Sequence, residues 1–319
     1  MTKEIFYSTK IIIANVKLRI KIDKSFRNIQ KLFLKFKYNG NINQNHPEII
    51  IKESSKRSIS VLKNNNQLMV SGMDIDDLKN TFNLIGIFQA LFRFVGIHSS
   101  KNGIYLLHGS ASVLDGQGIC FADDGKSTAK TLSSLECALK SNLYIGDEFC
   151  FLDSKTKNIF SYSFLPIHLR PQVKNHFINT HKTKLPHSSY RENEAGYFIE
   201  ANKLFKIIKT KQLDKFVFVY FHNQKTKLEL LNSRQSKKAI AVTITSPLLK
   251  LFYPQLDRMR FLEKQDLTKV KSCNKIDIES LIKDLGLSNV IVQMVKDIPC
   301  YRIWIRRPCE IIKMIRTIK

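Results

Sequence analysis

Apolar and charged positions alternate over the second half of Lys10–Ile22, "KIIIANVKLRIKI". Val16, Leu18, Ile20 and Ile22 share one face; Lys17, Arg19 and Lys21 share the other. A period of two is that of a half-buried strand. The shorter runs "EIIIKE" and "SISVL" predict further strands. "KNNNQ" (Lys63–Gln67) has turn chemistry and joins Ser58–Leu62 to Leu68–Val70 as a hairpin. The pattern then changes. "MDIDDLKNTFNLIGIFQALFRFVGI" predicts a helix whose acids lie in its first turn, where the helix dipole favours them, and Ser99 to Gly103 ends it. A small β-rich N-terminal domain is expected over 1–73, with this helix leading into a second domain over 74–319.

The second domain reads as alternating strands and helices. Strands are predicted at Ile104–Leu107 and at "SASVLD", with Asp115-Gly116 as the turn into a third, "GICFA", ending at Ala122. A loop and a helix to about Lys140 follow. "LYI" is a short strand closing on Gly146-Asp147-Glu148, and "FCFLD" continues from it. "KFVFVYF" (Lys215–Phe221) is apolar throughout, as a strand buried on both faces should be. The C-terminal stretch predicts a strand over Tyr301–Ile305 and a closing helix. The polar stretch His176–Gly196 is expected to be a mobile surface loop. No internal repeat is found.

Composition narrows the function classes. The 319 residues are 43% apolar, enough for a sizeable core. The net charge is +25, from 52 Lys and Arg against 27 acids. The basic residues are dispersed along the chain, and Lys, Asn and Ile are all abundant, as AT-rich coding produces; the charge alone does not argue for nucleic acid. It does attract anionic ligands at low salt. Cys120, Cys137, Cys150, Cys273, Cys300 and Cys309 form no CxxC pair, so thiolate metal sites are not expected and reduced thiols in the cytoplasm are. The N-terminus lacks the apolar core of a signal peptide. Leu84–Ile97 is too short to span a bilayer and carries Arg93.

The chemistry gathers between Leu106 and Asp153. A strand, a turn, then Lys-Ser/Thr opening a helix makes a phosphate site, because unpaired N–H groups at the helix start point at the ligand and the dipole favours negative charge. Two registers are present. In one, Gly125-Lys126-Ser127 ends the loop, but its opening position, Cys120, then lies inside a strand. In the other, the loop is "DGKSTAKT", Asp124 to Thr131: Gly125, Lys126, Ser127, Thr128 and Ala129 form the turn, and Lys130-Thr131 opens the helix. The second starts just past the strand, where such loops start. In it Asp124 and Ala129 stand where glycine is usual. The acid pair Asp147-Glu148 follows the next strand, where a carboxylate can hold Mg²⁺ or take a proton.

These residues, in this order, resemble the C-terminal domain of HPr kinase/phosphorylase and its related kinases. The matching pieces are "LLHGSASVLDGQG", "ICFADDGKSTAKT" and "YIGDEF", preceded by the apolar helix "LIGIFQALFRFVGIHSS"; a softer match is the C-terminal "IPCYRIWIRRPCEIIKMIRTI". The resemblance implies an α/β P-loop fold of the HPr kinase and phosphoenolpyruvate carboxykinase type, a mixed sheet with flanking helices. It implies ATP and Mg²⁺ as cofactors and phosphoryl transfer to a serine on a protein or ribosomally made peptide. By position, His108 would lie beside the transferred group, Lys130 (or Lys126) would bind phosphates, Thr131 and Glu148 would hold the metal, and Asp147 would accept the seryl proton. Arg170 is a conceivable further cation. HPr itself is not implied as substrate.

Two other classes compete. Asp123, Asp124 and Ala129 also suit a nucleotide-binding scaffold without turnover, and the net charge suits a nucleic-acid binder. Each residue has a plain reading too: a capped turn for Asp124–Thr131, a packed histidine for His108, loop acids for Asp147-Glu148. For His168, His176, His181, His187 and His222 the plain reading is preferred. Homo-oligomerisation is compatible with all of these, and a membrane span is not expected.

Overall fold

In the computed structural model the described residues are 6–26, 31, 33–52, 58–62, 66–71, 81–125, 129–162, 166–169, 177, 180–181, 190–193, 196–222, 226–252, 282–283 and 285–318. By its contacts the chain divides into two compact units, Met1–Ile104 with Pro247–Asp277, and Tyr105–Ser246 with Ile278–Lys319.

The first unit is built on a five-stranded sheet of β1 (Phe6–Ile13), β2 (Val16–Asp23), β3 (Glu48–Lys52), β4 (Ser58–Leu62) and β5 (Gln67–Ser71), in the order β1-β2-β3-β5-β4. Ala14 and Asn15 both have positive φ, as a two-residue hairpin turn demands, and join β1 to β2. The alternation read from the sequence is realised: Val16, Leu18, Ile20 and Ile22 are buried. Helix α1 (Thr81–Ser99) packs on β2 and β5. The contact division falls at Ile104/Tyr105 and not at Met73, with the helix expected to open the second domain counted in the first unit.

The second unit is an α/β structure with a mixed nine-stranded sheet and flanking helices. Its elements are β6 (Ile104–Leu114), β7 (Gln117–Ala122), α2 (Lys130–Ser141), β8 (Leu143–Gly146), β9 (Phe149–Asp153), β10 (Asn158–Phe160), β11 (Ile167–Leu169), β12 (Tyr190–Asn193), β13 (Gly196–Ile199), α3 (Ala201–Leu204), β14 (Lys206–Ile207), β15 (Thr210–Phe221), β16 (Lys227–Leu230), α4 (Ser233–Phe252, of which the residues from Pro247 on belong to the first unit), α5 (Leu287–Asp297), β17 (Cys300–Ile305) and α6 (Glu310–Arg316). The large sheet runs β14-β8-β6-β9-β10-β15-β17-β16, with β7 paired to both β6 and β15; β11, β13 and β12 form a small separate sheet. Strands β7, β15 and β17 are parallel neighbours, so Ala122, Phe221 and Ile305 end on one edge. In parallel α/β sheets that edge is where ligands gather.

One side of this sheet buries Cys120, Phe216 and Phe218 under Ile240, Ile244, Ile291 and Met294 of α4 and α5. The other buries Phe121, Val217, Val219 and Ile303 under Cys137 of α2 and Ile311 and Ile315 of α6. The apolar run of β15 is explained by this two-sided burial.

Two expectations change. The segments Ile104–Leu107 and "SASVLD" are one continuous strand, buried along its whole length. The polar stretch 176–196 contains β12, paired with β13; the described remainder of that stretch includes Phe177 and His181, both buried. Among the described residues, no helix is long and apolar enough to cross a membrane.

Candidate functional site

The hairpin β6–β7 and the helix α2 bring the sequence candidates together. Asp123 N–H donates to His108 O across 3.0 Å, so the end of β7 is clamped beside the histidine. Thr243 Oγ1 on α4 donates to Asp123 O across 2.9 Å. Gly125 follows with φ of +88°, a conformation a side chain would strain. Helix α2 starts at Lys130, the residue at which the second register opens its helix. Lys126, Ser127 and Thr128 lie outside the described residues, as does Arg170.

Lys130 reaches both Asp123 and His108. Its Nζ is 3.0 Å from Asp123 Oδ2 and 3.2 Å from His108 Nε2. An ammonium can only donate, so Nε2 accepts and the neutral ring carries its proton on Nδ1. That nitrogen lies 3.1 Å from Asp123 Oδ2, though out of line for a good hydrogen bond. Burial alone would lift the Asp123 carboxyl, but the His108 imidazole and the Lys130 ammonium outweigh it and hold the group far below the usual carboxylate range. Glu148 Oε1 stands 3.4 Å from His108 Nε2. The Glu148 backbone has φ of +63°. A non-glycine residue held there costs about 1–2 kcal/mol, a strain that tends to mark functional positions.

Asp147 has a different set of partners. Its Oδ1 accepts the hydroxyl of Thr131, in the first turn of α2, across 2.9 Å. The Ser110 hydroxyl, two residues along β6 from His108 and so on the same face, donates to the same oxygen. Burial raises the Asp147 carboxyl, the Glu148 charge raises it further, and the two hydroxyls offset only part; the net result is above the ordinary value.

The second loop acid is held elsewhere. Tyr220 OH at the end of β15 donates to Asp124 Oδ2, and Arg302 Nη2 of β17 lies 3.8 Å from that oxygen. Burial and the Asp124 carboxylate both push the Tyr220 phenol up. Its ring stacks on Trp304 at 5.6 Å, with the Arg302 guanidinium 5.8 Å from each ring.

Of the sequence candidates, Lys130, His108 and Glu148 form one cluster and Thr131 and Asp147 an adjoining one. Thr131 and Glu148, both expected on a metal, are not partners. Among the described residues no three His, Cys, Asp or Glu side chains stand together as a ready cation cage. The Thr131 hydroxyl and the Asp147 carboxylate are nonetheless hard oxygen donors side by side. That set suits Mg²⁺, which takes few protein ligands and completes its shell with water and phosphate.

The sequence did not reveal Ser110, the role of Asp123, or the Tyr220 and Arg302 partners of Asp124. Ser110 could have been found from its two-residue spacing to His108. An open hollow on the first sheet, lined by Phe6, Lys21, Glu48, Ile50 and Met69, offers less chemistry. There Glu48 is already taken by Lys21 at 2.9 Å and Gln67 at 2.8 Å. No protein-family model matches the chain, and no curated protein matches it.

Proposed function

We propose that the second unit binds ATP with Mg²⁺ at the turn after β7 and transfers its terminal phosphoryl group to a serine hydroxyl of a protein or peptide. The observation that carries this reading is the pairing of Lys130 and Thr131, at the head of α2, with His108 and Asp147 from the neighbouring strands. A cation, a hydroxyl, an imidazole and a carboxylate of raised basicity thus line the end of a strand–turn–helix unit.

In this reading Lys130 Nζ neutralises phosphate oxygens, and the N–H groups at the start of α2 add donors. Thr131 would hold the metal, with water and phosphate oxygens filling the rest of its shell, and the metal would supply charge neutralisation at the phosphates when bound. Asp147 takes the proton from the attacking seryl oxygen. The new O–P bond forms as the bond from the terminal phosphorus to the bridging oxygen breaks, and ADP carries that oxygen away. Positioning and charge supply most of the rate in such a transfer. His108 stands beside the transferred group, held by Lys130.

The test is transfer of label from radiolabelled ATP to a serine peptide mixture or to denatured cell protein. Wild-type protein with Mg²⁺ should label serine, and Lys130→Ala should not. If Lys126→Ala abolishes labelling while Lys130→Ala does not, the register is the other one. Nucleotide binding without labelling of any acceptor, in wild type as in variants, would instead make the unit a scaffold. The engagement of the loop lysine by Asp123 is the observation that favours this second reading.

A further inference from the structure

Donors suited to an anion converge at the head of α2, and two of them, Lys130 Nζ and the Gly125 N–H, are turned on one carboxylate of the chain itself, with the His108 ring beside it. Asp123 Oδ2 lies 3.0 Å from Lys130 Nζ and 3.1 Å from His108 Nδ1, and Asp123 Oδ1 accepts the Gly125 N–H across 2.8 Å. An ammonium together with a loop amide ahead of a helix is the donor set that a phosphoryl group takes. The side chains of Lys130 and Asp123 are only 14% and 15% exposed, so this pairing is largely withdrawn from water and is not a loose surface contact.

The neighbouring acid does not compete for the seat, because Asp124 is tied to Tyr220 and Arg302. The Asp123 backbone is fixed at both ends of its peptide, by His108 O on its N–H and by Thr243 on its carbonyl. With the backbone held, the carboxylate can leave the seat only by rotation of its side chain.

We propose that Asp123 is an internal stand-in for the phosphoryl group: its carboxylate fills the anion seat made by Lys130 Nζ and Gly125 N–H, and a phosphoryl ligand enters only by turning that carboxylate out. The proposal rests on the reading of this turn as a phosphate site and makes Asp123 the residue that sets its selectivity. A ligand must outbid a charge already in place. Inorganic phosphate, offering one small anion in exchange for another, is disfavoured. A polyphosphate that also meets the N–H groups at the start of α2 has the surplus to displace it. Protonation offers no easy route to an empty seat, since His108 and Lys130 keep the carboxyl ionised against the opposing effect of burial.

The experiment is a calorimetric titration of the full chain with inorganic phosphate and, separately, with ATP and Mg²⁺. Asp123→Asn keeps the shape and the acceptor for Gly125 N–H but removes the charge. It should bind inorganic phosphate about tenfold more tightly than wild type or better. Lys130→Ala placed on Asp123→Asn should abolish the gain. Asp123→Glu, which keeps the charge, should show none, and Asp123→Ser provides a second uncharged variant should the asparagine fold poorly. Equal or weaker phosphate binding by both uncharged variants overturns the proposal. The two readings separate cleanly. A Lys130-dependent gain without any label transfer leaves the stand-in intact and removes the kinase; label transfer by wild type without the gain does the reverse.

Discussion

Thr131 Oγ1 donates to Asp147 Oδ1 across 2.9 Å, joining the first turn of α2 to the turn after β8. The oxygen is shared with Ser110 of β6, so three elements meet on one carboxylate. Carboxyl basicity and helix placement are therefore set by the same contact.

Thr131→Val keeps the shape of the side chain and removes this donor. Asp147 then loses one of the two hydroxyls that offset its burial, and its carboxyl rises further from the ordinary value. A general base must be ionised, so wild-type transfer should fall as pH drops through a value above about 4, the ordinary carboxylate figure. In Thr131→Val this acid limb should move to higher pH, with the plateau rate lowered roughly tenfold or more; Thr131→Ser should restore both. Rate profiles between mildly acidic and neutral pH check this, and a limb that stays in place would remove Asp147 from the base role.

Asp123 makes an opposite contribution to acid stability. Its folded-state carboxyl lies below the unfolded value, so the native state binds fewer protons there. The stabilisation is complete above the unfolded value of about 3.9 and is lost as pH falls towards the folded one. The difference in stability between wild type and Asp123→Asn should accordingly be largest near neutrality and narrow below about pH 4. Denaturant titrations of both proteins across that range measure it, and a constant difference would mean the ion pair is not what distinguishes them.

Much of the framework was legible because it rests on local periodicity. The one-sided alternation of Val16, Leu18, Ile20 and Ile22 sufficed for β2, and the Asn-rich turn for the β4–β5 hairpin. The break expected at His108 and Gly109 is absent for a physical reason: their backbone groups find distant partners, Gly109 N–H donating to Glu148 O and His108 O accepting from Asp123 N–H, so the strand runs on through them. Ser110 finds Asp147 37 residues away. The candidate site divides in the same way. Lys130, Thr131, Asp147 and Glu148 follow from strand–turn–helix order, and His108 from the resemblance to HPr kinases. The Asp123 network and the contact of Tyr220 with Asp124, 96 residues apart, depend on which strands become neighbours, and no local pattern carries that.

Gly146 precedes the acid pair and marks a close approach. A Cβ there would fall 2.2 Å from both Cβ and Oγ of Ser161. The Cβ of serine cannot swing aside without moving the backbone, and Ser161 Oγ is itself bound to Phe149 O at 2.8 Å. Gly146→Ala should cost about 1–3 kcal/mol. Adding Ser161→Gly should recover part of this by opening the space. Thermal melts of the single and double variants provide the comparison; an unchanged melt for Gly146→Ala would show that the approach relaxes freely.

Helix α2 is also anchored at its far side by a buried pair, the Glu136 carboxylate and the His181 imidazole, with Nε2 to Oε1 at 2.7 Å. Both residues are buried, and the His181 ring lies 5.0 Å from that of Phe177. Such a pair can contribute little net stability, because desolvation offsets attraction, yet removing one member strands the other without water. His181→Ala should therefore destabilise by about 3 kcal/mol, and so should lower the melting temperature by roughly 6 °C or more. Replacing both members together, Glu136→Met with His181→Phe, should recover most of the loss, because no charge is then left dry. Since Glu136 sits on the helix that begins with Lys130 and Thr131, the single variant should also loosen their placement. The amides at the start of α2 should exchange faster with deuterium in His181→Ala and return towards wild-type rates in the double variant. If the double variant melts no higher than the single one, the pair stabilises α2 in its own right and the stranded-charge account fails.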